Sequence, residues 1–240
     1  MQLTSGRLAA VAIGIPIMLG ASAFGGFGLV GTFASTSEHH TASYAWQGGG
    51  EISVKTSAGD VRIEVGTGTQ VGVAYTEHYQ FKRPTVTATS LGGGLQLTAK
   101  CAGGLYGNNC EINYVVTVPA AASLVLHTGD GDLQLGASTG SISANTGNGD
   151  INGTELVSTT IAASTGNGDI DLAWNVAPTK VGATTGNGDI KLVVPPGTSY
   201  NVSAHTGNGD THVGVPQDQS ATDSIGADTG DGNITISPAA

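Results

Sequence analysis

The chain has 240 residues, of which 39 are glycine, 39% are hydrophobic, 11% are charged and 5% are aromatic. So few charges exclude a helical bundle with salt-bridged surfaces, and the regular placement of Val, Ile and Leu excludes simple disorder. The net charge of −10 arises in residues 120–240, which carry two basic and twelve acidic side chains. Nucleic acid is bound through Lys and Arg, so this composition excludes it as a partner.

Residues 1–37 differ in composition from the rest of the chain. Leu8–Phe33 is an uncharged, mostly apolar run that follows Arg7. About 20 such residues cross a bilayer, and the positively charged flank stays in the cytoplasm. The run predicts one hydrophobic helix that anchors the protein in the cell membrane, with the N-terminus in the cytoplasm and residues 38–240 outside. The alternative is a signal peptide cleaved near Ala23, which would leave the domain secreted.

Residues 38–118 are predicted to form an irregular N-terminal part of the domain. Strand-like stretches are legible at Val71–Tyr75, Leu95–Thr98 and Ile112–Val118, with a degenerate repeat at Thr56–Asp60. Because the first rung of a stacked structure needs a cover, we expect this part to begin the stack and to cap its edge.

The two cysteines of the chain, Cys101 and Cys110, bracket a short glycine-containing loop. Outside the cytoplasm such a pair predicts a disulfide that closes the loop, and two free thiols are the alternative. A zinc site is not expected, because the chain has no Cys-x-x-Cys pair.

Residues 119–240 repeat one unit. Thr-Gly-Asn-Gly-Asp occurs four times, and variants with Asp and Asn exchanged occur twice, while the spacing of successive copies grows from 18 to 23 residues. The six copies begin at Thr128, Thr146, Thr165, Thr185, Thr206 and Thr229. Repetition with such a period is typical of stacked repeat architectures.

Around each copy, apolar and variable residues alternate with period two, which predicts a strand on either side of a tight corner. A unit of this size buries too little on its own and must stack on its neighbours. The predicted fold is therefore all-β: a single-stranded parallel β-solenoid (β-helix) of about 20-residue rungs, preceded by the N-terminal helix. The rival interpretation takes Asn-Gly as a hairpin turn, with antiparallel hairpins in a sandwich. An open strand edge is expected near Ile234–Ile236 unless Ser237–Ala240 covers it.

At this point the sequence resembles a known group of proteins. The Gly-Asp-Val-Arg-Ile segment near residue 60, the Val-Thr-Val-Pro segment at 116–119 and the final Thr-Gly-Asp-Gly-Asn-Ile-Thr-Ile are similar to a bacterial β-strand-repeat family of unknown function, whose members carry the label "putative adhesin". The resemblance covers about residues 45–237. It implies a β-helical domain outside the cytoplasm without a known enzymatic activity, and it supplies no catalytic residues.

Stacking the corners would place equivalent side chains in columns about 4.8 Å apart. An asparagine column would form an amide ladder. The aspartate column comprises Asp132, Asp150, Asp169, Asp189 and Asp210. Its carboxylates are expected either to accept backbone N–H groups in the turns or to bind calcium, for which they supply hard oxygen ligands. No other cofactor is expected.

The sequence predicts a non-enzymatic, extracytoplasmic, adhesin-like binding or structural module of the bacterial cell envelope. Its partner would be a glycan or a protein at the cell surface. The alternatives are a calcium-binding solenoid stalk and, more weakly supported, a carbohydrate-active β-helix, in which Asp169 and Asp171 would be paired acids. His127 and His205 occupy a position that accepts many polar residues, so we expect both to face solvent.

Overall fold

Alternation of apolar and polar residues gives each repeat two strands, and the computed structural model describes residues 35–101 and 109–239 as strands and connections without a helix. The predicted N-terminal helix and the cleavage point near Ala23 lie outside the described residues. The strands are β1 (Thr36–Ala45), β2 (Ile52–Ala58), β3 (Val61–Gly66), β4 (Gln70–Tyr79), β5 (Thr85–Leu91), β6 (Gly94–Lys100), β7 (Glu111–Pro119), β8 (Leu124–Asp130), β9 (Leu133–Leu135), β10 (Ile142–Asn148), β11 (Ile151–Leu156), β12 (Thr160–Asn167), β13 (Ile170–Trp174), β14 (Lys180–Asn187), β15 (Ile190–Val194), β16 (Asn201–Asn208), β17 (Thr211–Val213), β18 (Ser224–Asp231) and β19 (Ile234–Pro238). Within the described part of the chain, no helix meets the length and apolarity that a membrane span requires.

The strands form two sheets whose apolar faces share one core. Sheet A has ten strands in the order β1-β4-β7-β3-β9-β11-β13-β15-β19-β17, and sheet B has nine in the order β16-β18-β14-β12-β10-β8-β2-β6-β5. Each repeat places its first strand in sheet B and its second in sheet A, joined by the glycine-rich corner. We call this strand–corner–strand unit a rung.

Neighbouring rungs pair in parallel with equivalent residues opposite one another. In β10 and β12, Ile142 lies opposite Ile161 and Thr146 opposite Thr165, and the same register continues into β14. The parallel, solenoid-like arrangement is confirmed for the repeats, and the antiparallel hairpin sandwich is wrong. The reason lies in the corner, which carries the chain from one sheet to the other instead of returning it within one sheet.

The inward columns explain why small and β-branched residues recur at fixed positions. Ile161 and Ile170 are 1% and 0% exposed, and Ala163 and Thr165 are equally enclosed at 3% and 4%. These columns repeat from rung to rung, so the core is one continuous apolar strip along the stack.

The N-terminal part covers the first edge, as expected, but it does so with antiparallel strands. In sheet A, β4 pairs antiparallel with β7 and β1 pairs antiparallel with β4. In sheet B, β5 pairs antiparallel with β6. Strands running against the stack cannot propagate the parallel rung pattern, so this end of the solenoid is closed.

Rungs do not stack in the order of the sequence at either end. The rung of β6 and β7 lies outside that of β2 and β3, although it follows it in the chain. At the other end, β18 and β19 lie between the rungs of β14–β15 and β16–β17. The prediction of an open edge near Ile234–Ile236 is therefore wrong, because the terminal rung in space is 201–213.

The apolar content of the last two rungs explains why the 224–238 rung lies inside the 201–213 rung. The 224–238 rung carries Ile234 and Ile236, which are both fully buried. The corresponding positions of the 201–213 rung are Thr211, which is exposed, and Val213, which is partly buried. Placing the more apolar rung inside removes more hydrocarbon surface from water, and the polar rung serves as the outer layer.

Candidate functional site: the polar columns of the solenoid

The corner of each repeat is fixed by contacts to the rung beneath it. Thr165, at the end of β12, points into the core, and its Oγ1 donates a hydrogen bond to the carbonyl oxygen of Gly149 at 2.9 Å. The N–H of Gly149 in turn donates to the carbonyl of Asn167 at 2.9 Å. The same Thr-to-Gly bond occurs at every repeat, so the buried hydroxyl and the glycine carbonyl satisfy each other.

Asparagine side chains form the predicted amide ladder in the middle of the stack. The Nδ2 of Asn167 donates to the Oδ1 of Asn148 at 2.7 Å, and Asn187 donates to Asn167 at 2.7 Å. Asn208 does not join this run, because Asp231 of the inserted rung lies between it and Asn187 and accepts its hydrogen bond. The ladder therefore links rungs along the solenoid axis and is broken where the rung order changes.

The aspartate column lies one residue beyond each corner. The structure brings together Asp132, Asp150, Asp169 and Asp189 in successive rungs, whereas Asn233 separates Asp210 from Asp189. Each Oδ1 accepts a hydrogen bond of 2.7–2.8 Å from the backbone N–H of the next column residue.

The expected backbone bonding of the carboxylates is thus present, but it connects neighbouring rungs instead of closing a local turn. The second carboxylate oxygen of these aspartates accepts no hydrogen bond from the described residues. Each of these carboxylates therefore has one oxygen that accepts a hydrogen bond from the described residues and one that does not. Cation binding by the column stays a prediction.

A shallow groove of about 300 Å³ runs beside this column on sheet A. Asp150, Asp169 and Asp189 line it together with Asp171 and Lys191. The Lys191 Nζ lies 3.2 Å from Asp171 Oδ2, and both side chains are about half exposed, so this ion pair adds little to stability. Asp169 and Asp171 therefore line the same groove, and Asp171 already forms an ion pair with the ammonium group of Lys191.

The outer face of sheet B has a different surface. A groove of about 560 Å³ lies at the end of this face opposite to β5, lined by the starts of β12, β14, β18 and β16. The floor consists of Ala162, Gly182 and Gly226, and a Cβ placed on Gly182 would meet no atom within 4 Å. Polar residues flank this floor along each strand, among them Lys180 and Asn201. This face is therefore a flat, largely uncharged strip, flanked by polar residues that can form hydrogen bonds.

His127 and His205 both face solvent, as expected. His127 Nδ1 lies 3.0 Å from Asn145 Oδ1 on the outside of sheet B, and His205 is exposed at the equivalent position of the terminal rung.

A buried charge cluster at the N-terminal end was missed by the sequence analysis. Glu77 of β4 is 2% exposed, and its Oε2 accepts a hydrogen bond from Arg83 Nε at 2.9 Å. Arg83 also contacts Glu38 of β1 at 2.8 Å, and His40 lies 3.6 Å from Glu38. The hydrogen bond that Arg83 donates to the Glu77 carboxylate raises the pKa of Arg83.

Glu38, His40 and Glu77 place potential ligand atoms within 4.8 Å of one another. The Arg83 guanidinium already contacts both carboxylates, however, so it offsets one of their two charges, and these ion pairs link β1 to β4. A signal was present in the sequence, since Glu77 falls at an inward position of an alternating strand.

The structure joins Cys101 and Cys110, which lie between β6 and β7. The bridge stands where the other rungs have their Thr-Gly-Asn-Gly-Asp corner. It thus closes the rung whose connection lacks the repeat.

Comparison with solved structures finds similar chains from three bacteria. A "putative cell adhesion protein" from Clostridium sporogenes is similar, with 13% identity, a TM-score of 0.54, and coverage of 85% of this chain and 100% of that one. A "putative adhesin" from Bacteroides fragilis has 10% identity and a TM-score of 0.46, covering 84% and 97%. A "putative lipid binding protein" from Parabacteroides distasonis has 12% identity and a TM-score of 0.38, covering 85% and 97%.

The similarity to the Clostridium sporogenes protein shows a shared fold. At so low an identity it supports no statement beyond the fold. No curated protein matches the sequence. The resemblance drawn from the repeats is confirmed by a family match that spans most of the chain. Residues 47–237 match the Toastrack DUF4097 family, and the chain therefore belongs to that family.

Proposed function

We propose that the protein is a non-enzymatic, adhesin-like binding or structural module of the bacterial cell envelope. The observation that carries this proposal is the ladder-linked stack, in which side chains and backbone join each repeat to the next along the whole solenoid. Such a stack holds its two outer faces rigid, so repeated polar groups are presented at a fixed spacing. A preorganised surface loses little conformational entropy on binding.

The proposal also places the domain outside the cytoplasm, anchored by the N-terminal apolar run. The disulfide between Cys101 and Cys110 supports this placement, because such bonds persist in oxidising compartments. Protease added to intact cells should then digest the domain. Full protection in intact cells, with digestion after lysis, would place the domain inside the cell.

The outer face of sheet B is the best candidate for the binding surface. The glycine and alanine floor exposes backbone to a flat ligand, and the flanking polar residues supply hydrogen bonds. A neutral glycan has both an apolar C–H face and hydroxyl groups, so its chemistry fits this strip better than the acidic groove of sheet A. The partner would then be a cell-surface polysaccharide.

We expect the purified full-length protein to sediment with isolated peptidoglycan sacculi. Gly182→Gln would place a long side chain on the groove floor without a clash, because open space lies above Gly182. This variant should bind at least about tenfold more weakly, a loss of about 1.4 kcal/mol. Asn152→Gln, on the exposed outer face of sheet A, is the matched control and should bind as the parent does. Equal binding by both variants would exclude this face.

Calcium binding is the second candidate function, favoured by five successive carboxylates, since Asp60 precedes Asp132 in the aspartate column and accepts its backbone N–H at 2.8 Å. Like charges about 4.8 Å apart repel by about 0.9 kcal/mol in water, and a divalent cation would relieve this repulsion. We expect the midpoint of thermal unfolding of the full-length protein to rise between EDTA and millimolar calcium, because a ligand of the folded state stabilises it.

Asn233 indicates which substitution can serve as the control variant in the calcium experiment. It occupies the aspartate column, and its Oδ1 accepts the backbone N–H of Asp210 at 3.0 Å, so an amide preserves the ladder. Replacing Asp150, Asp169 and Asp189 together by Asn should abolish the calcium response while the fold remains. If the parent protein shows no calcium-dependent shift, the column is a structural ladder only.

A further inference from the structure

The stack ends differently at its two ends. At the N-terminal end, β1 and β5 close the sheets with antiparallel strands. At the opposite end, β16 and β17 are the last strands of sheets B and A, and no described strand pairs with their outer edges. The 201–213 rung therefore presents the parallel edge of an inner rung from Val202 onwards. The start of this edge is covered by residues 216–219, because the N–H of Tyr200 donates to the carbonyl of Pro216 and the carbonyl of Tyr200 accepts the N–H of Asp218, both at 3.0 Å.

The corner of this terminal rung keeps the acceptors that inner rungs use. In the inner rungs, a Gly carbonyl, an Asn or Asp side-chain oxygen at the third corner position and the column carboxylate each receive a hydrogen bond from the next rung. The equivalent groups at the end are the carbonyl of Gly209, the Oδ1 of Asn208 and the carboxylate of Asp210. None of these three accepts a hydrogen bond from the described residues.

The core column is also incomplete at this end. Val202, Ala204 and Val213 continue the buried columns but are only partly buried. Their counterparts one rung inward, Ile225 and Ala227, are 1% and 0% exposed. A further rung would enclose these side chains and complete the three hydrogen bonds at once.

We propose that this end accepts one more rung from another polypeptide, by addition of a strand–corner–strand segment in parallel register. The partner must carry a Thr-Gly-Asn-Gly-Asp corner. Its threonine hydroxyl, its Asn Nδ2 and the backbone N–H of its Asp are the donors that match the carbonyl of Gly209, the Oδ1 of Asn208 and the carboxylate of Asp210, and its second glycine has no Cβ to clash with the rung beneath. Main-chain pairing gives affinity to such additions, and the corner gives specificity. Because β17 has only three residues, the contact concentrates on β16 and the corner.

An intact second copy cannot supply this segment, since its own repeats are paired within its own stack. The partner is therefore a protein with an unpaired repeat of this type. This edge adjoins the sheet B groove, because β16 borders both. The sacculus experiment rests on Gly182 in β14, two strands away from β16, so it and the experiment below can fail independently.

The test uses a labelled synthetic peptide of residues 158–175, which contains one complete repeat, titrated with the purified full-length protein. We expect saturable binding and slowed amide hydrogen exchange in residues 201–213. The control peptide carries Gly168→Ala. In the stack, a Cβ at Gly168 would lie 2.1 Å from the carbonyl oxygen of the glycine beneath it, so this peptide should not bind.

Two protein variants locate the contact. Asp210→Ala removes the free carboxylate but keeps the bond from its own N–H to Asn233, and it should weaken peptide binding by about tenfold. Asp171→Ala, on the outer face of sheet A, removes an equal charge away from the corner and should leave binding unchanged. Absence of binding by the parent peptide, or equal binding of the Gly168→Ala peptide, would overturn the proposal.

Discussion

Gly168→Ala is expected to be among the most damaging single substitutions in the chain. Gly168 has a φ of +148°, and an added Cβ would lie 2.1 Å from the carbonyl oxygen of Gly149. Neither atom can move without separating two rungs, because both belong to the paired corner. We expect a loss of roughly 3 kcal/mol or more in the free energy of unfolding, measured by urea denaturation.

Gly182→Ala is the matched control, since Gly182 belongs to the next repeat. A Cβ there would meet nothing within 4 Å. The free energy of unfolding should change by no more than about 0.5 kcal/mol, and a small gain is expected because alanine restricts the unfolded chain. Similar losses for the two variants would show that the corners are not held in close contact.

The second large effect concerns the order of the last two rungs. Ile225 and Val202 occupy the same inward column, but Ile225 is 1% exposed and Val202 only partly buried. Ile225→Ala should therefore cost about 3 kcal/mol of unfolding free energy. Val202→Ala should cost less than about 1 kcal/mol, since the side chain is already in contact with water.

Stacking in the order of the sequence makes the opposite prediction, because it would place Val202 inside and Ile225 at the end. Denaturant midpoints of the two variants, compared under one condition, separate the two arrangements. A larger loss for Val202→Ala would mean that the final repeat lies outermost.

Much of the fold follows from local pattern. The period-two alternation and the recurrent corner predict strands, parallel stacking and the inward columns, since each depends on residues close in sequence. The amide ladder was predictable for the same reason, because identical residues at identical positions must stack. The family resemblance rested on the same motifs.

What the sequence did not reveal depends on competition between distant segments. The exchange of the last two rungs arises because Ile234 gains more from burial than Thr211, a comparison between repeats instead of a property of either. A signal was present in the sequence, since Thr211 interrupts the column of apolar residues. The increasing spacing between successive repeats, however, did not indicate the order of the rungs. The Glu77–Arg83 cluster likewise needs β1 and β4 to meet across antiparallel pairing.

The inserted final repeat also determines how the solenoid responds to force. In a solenoid stacked in sequence order, the last rung is free on one side, and a pull on the C-terminus would unzip rungs one at a time. Here the C-terminal strand β19 is clamped between β15 and β17, while the outermost rung is tethered to the chain at both of its ends. Load applied to β19 must therefore break two interfaces together, so the strand resists being pulled out of the stack.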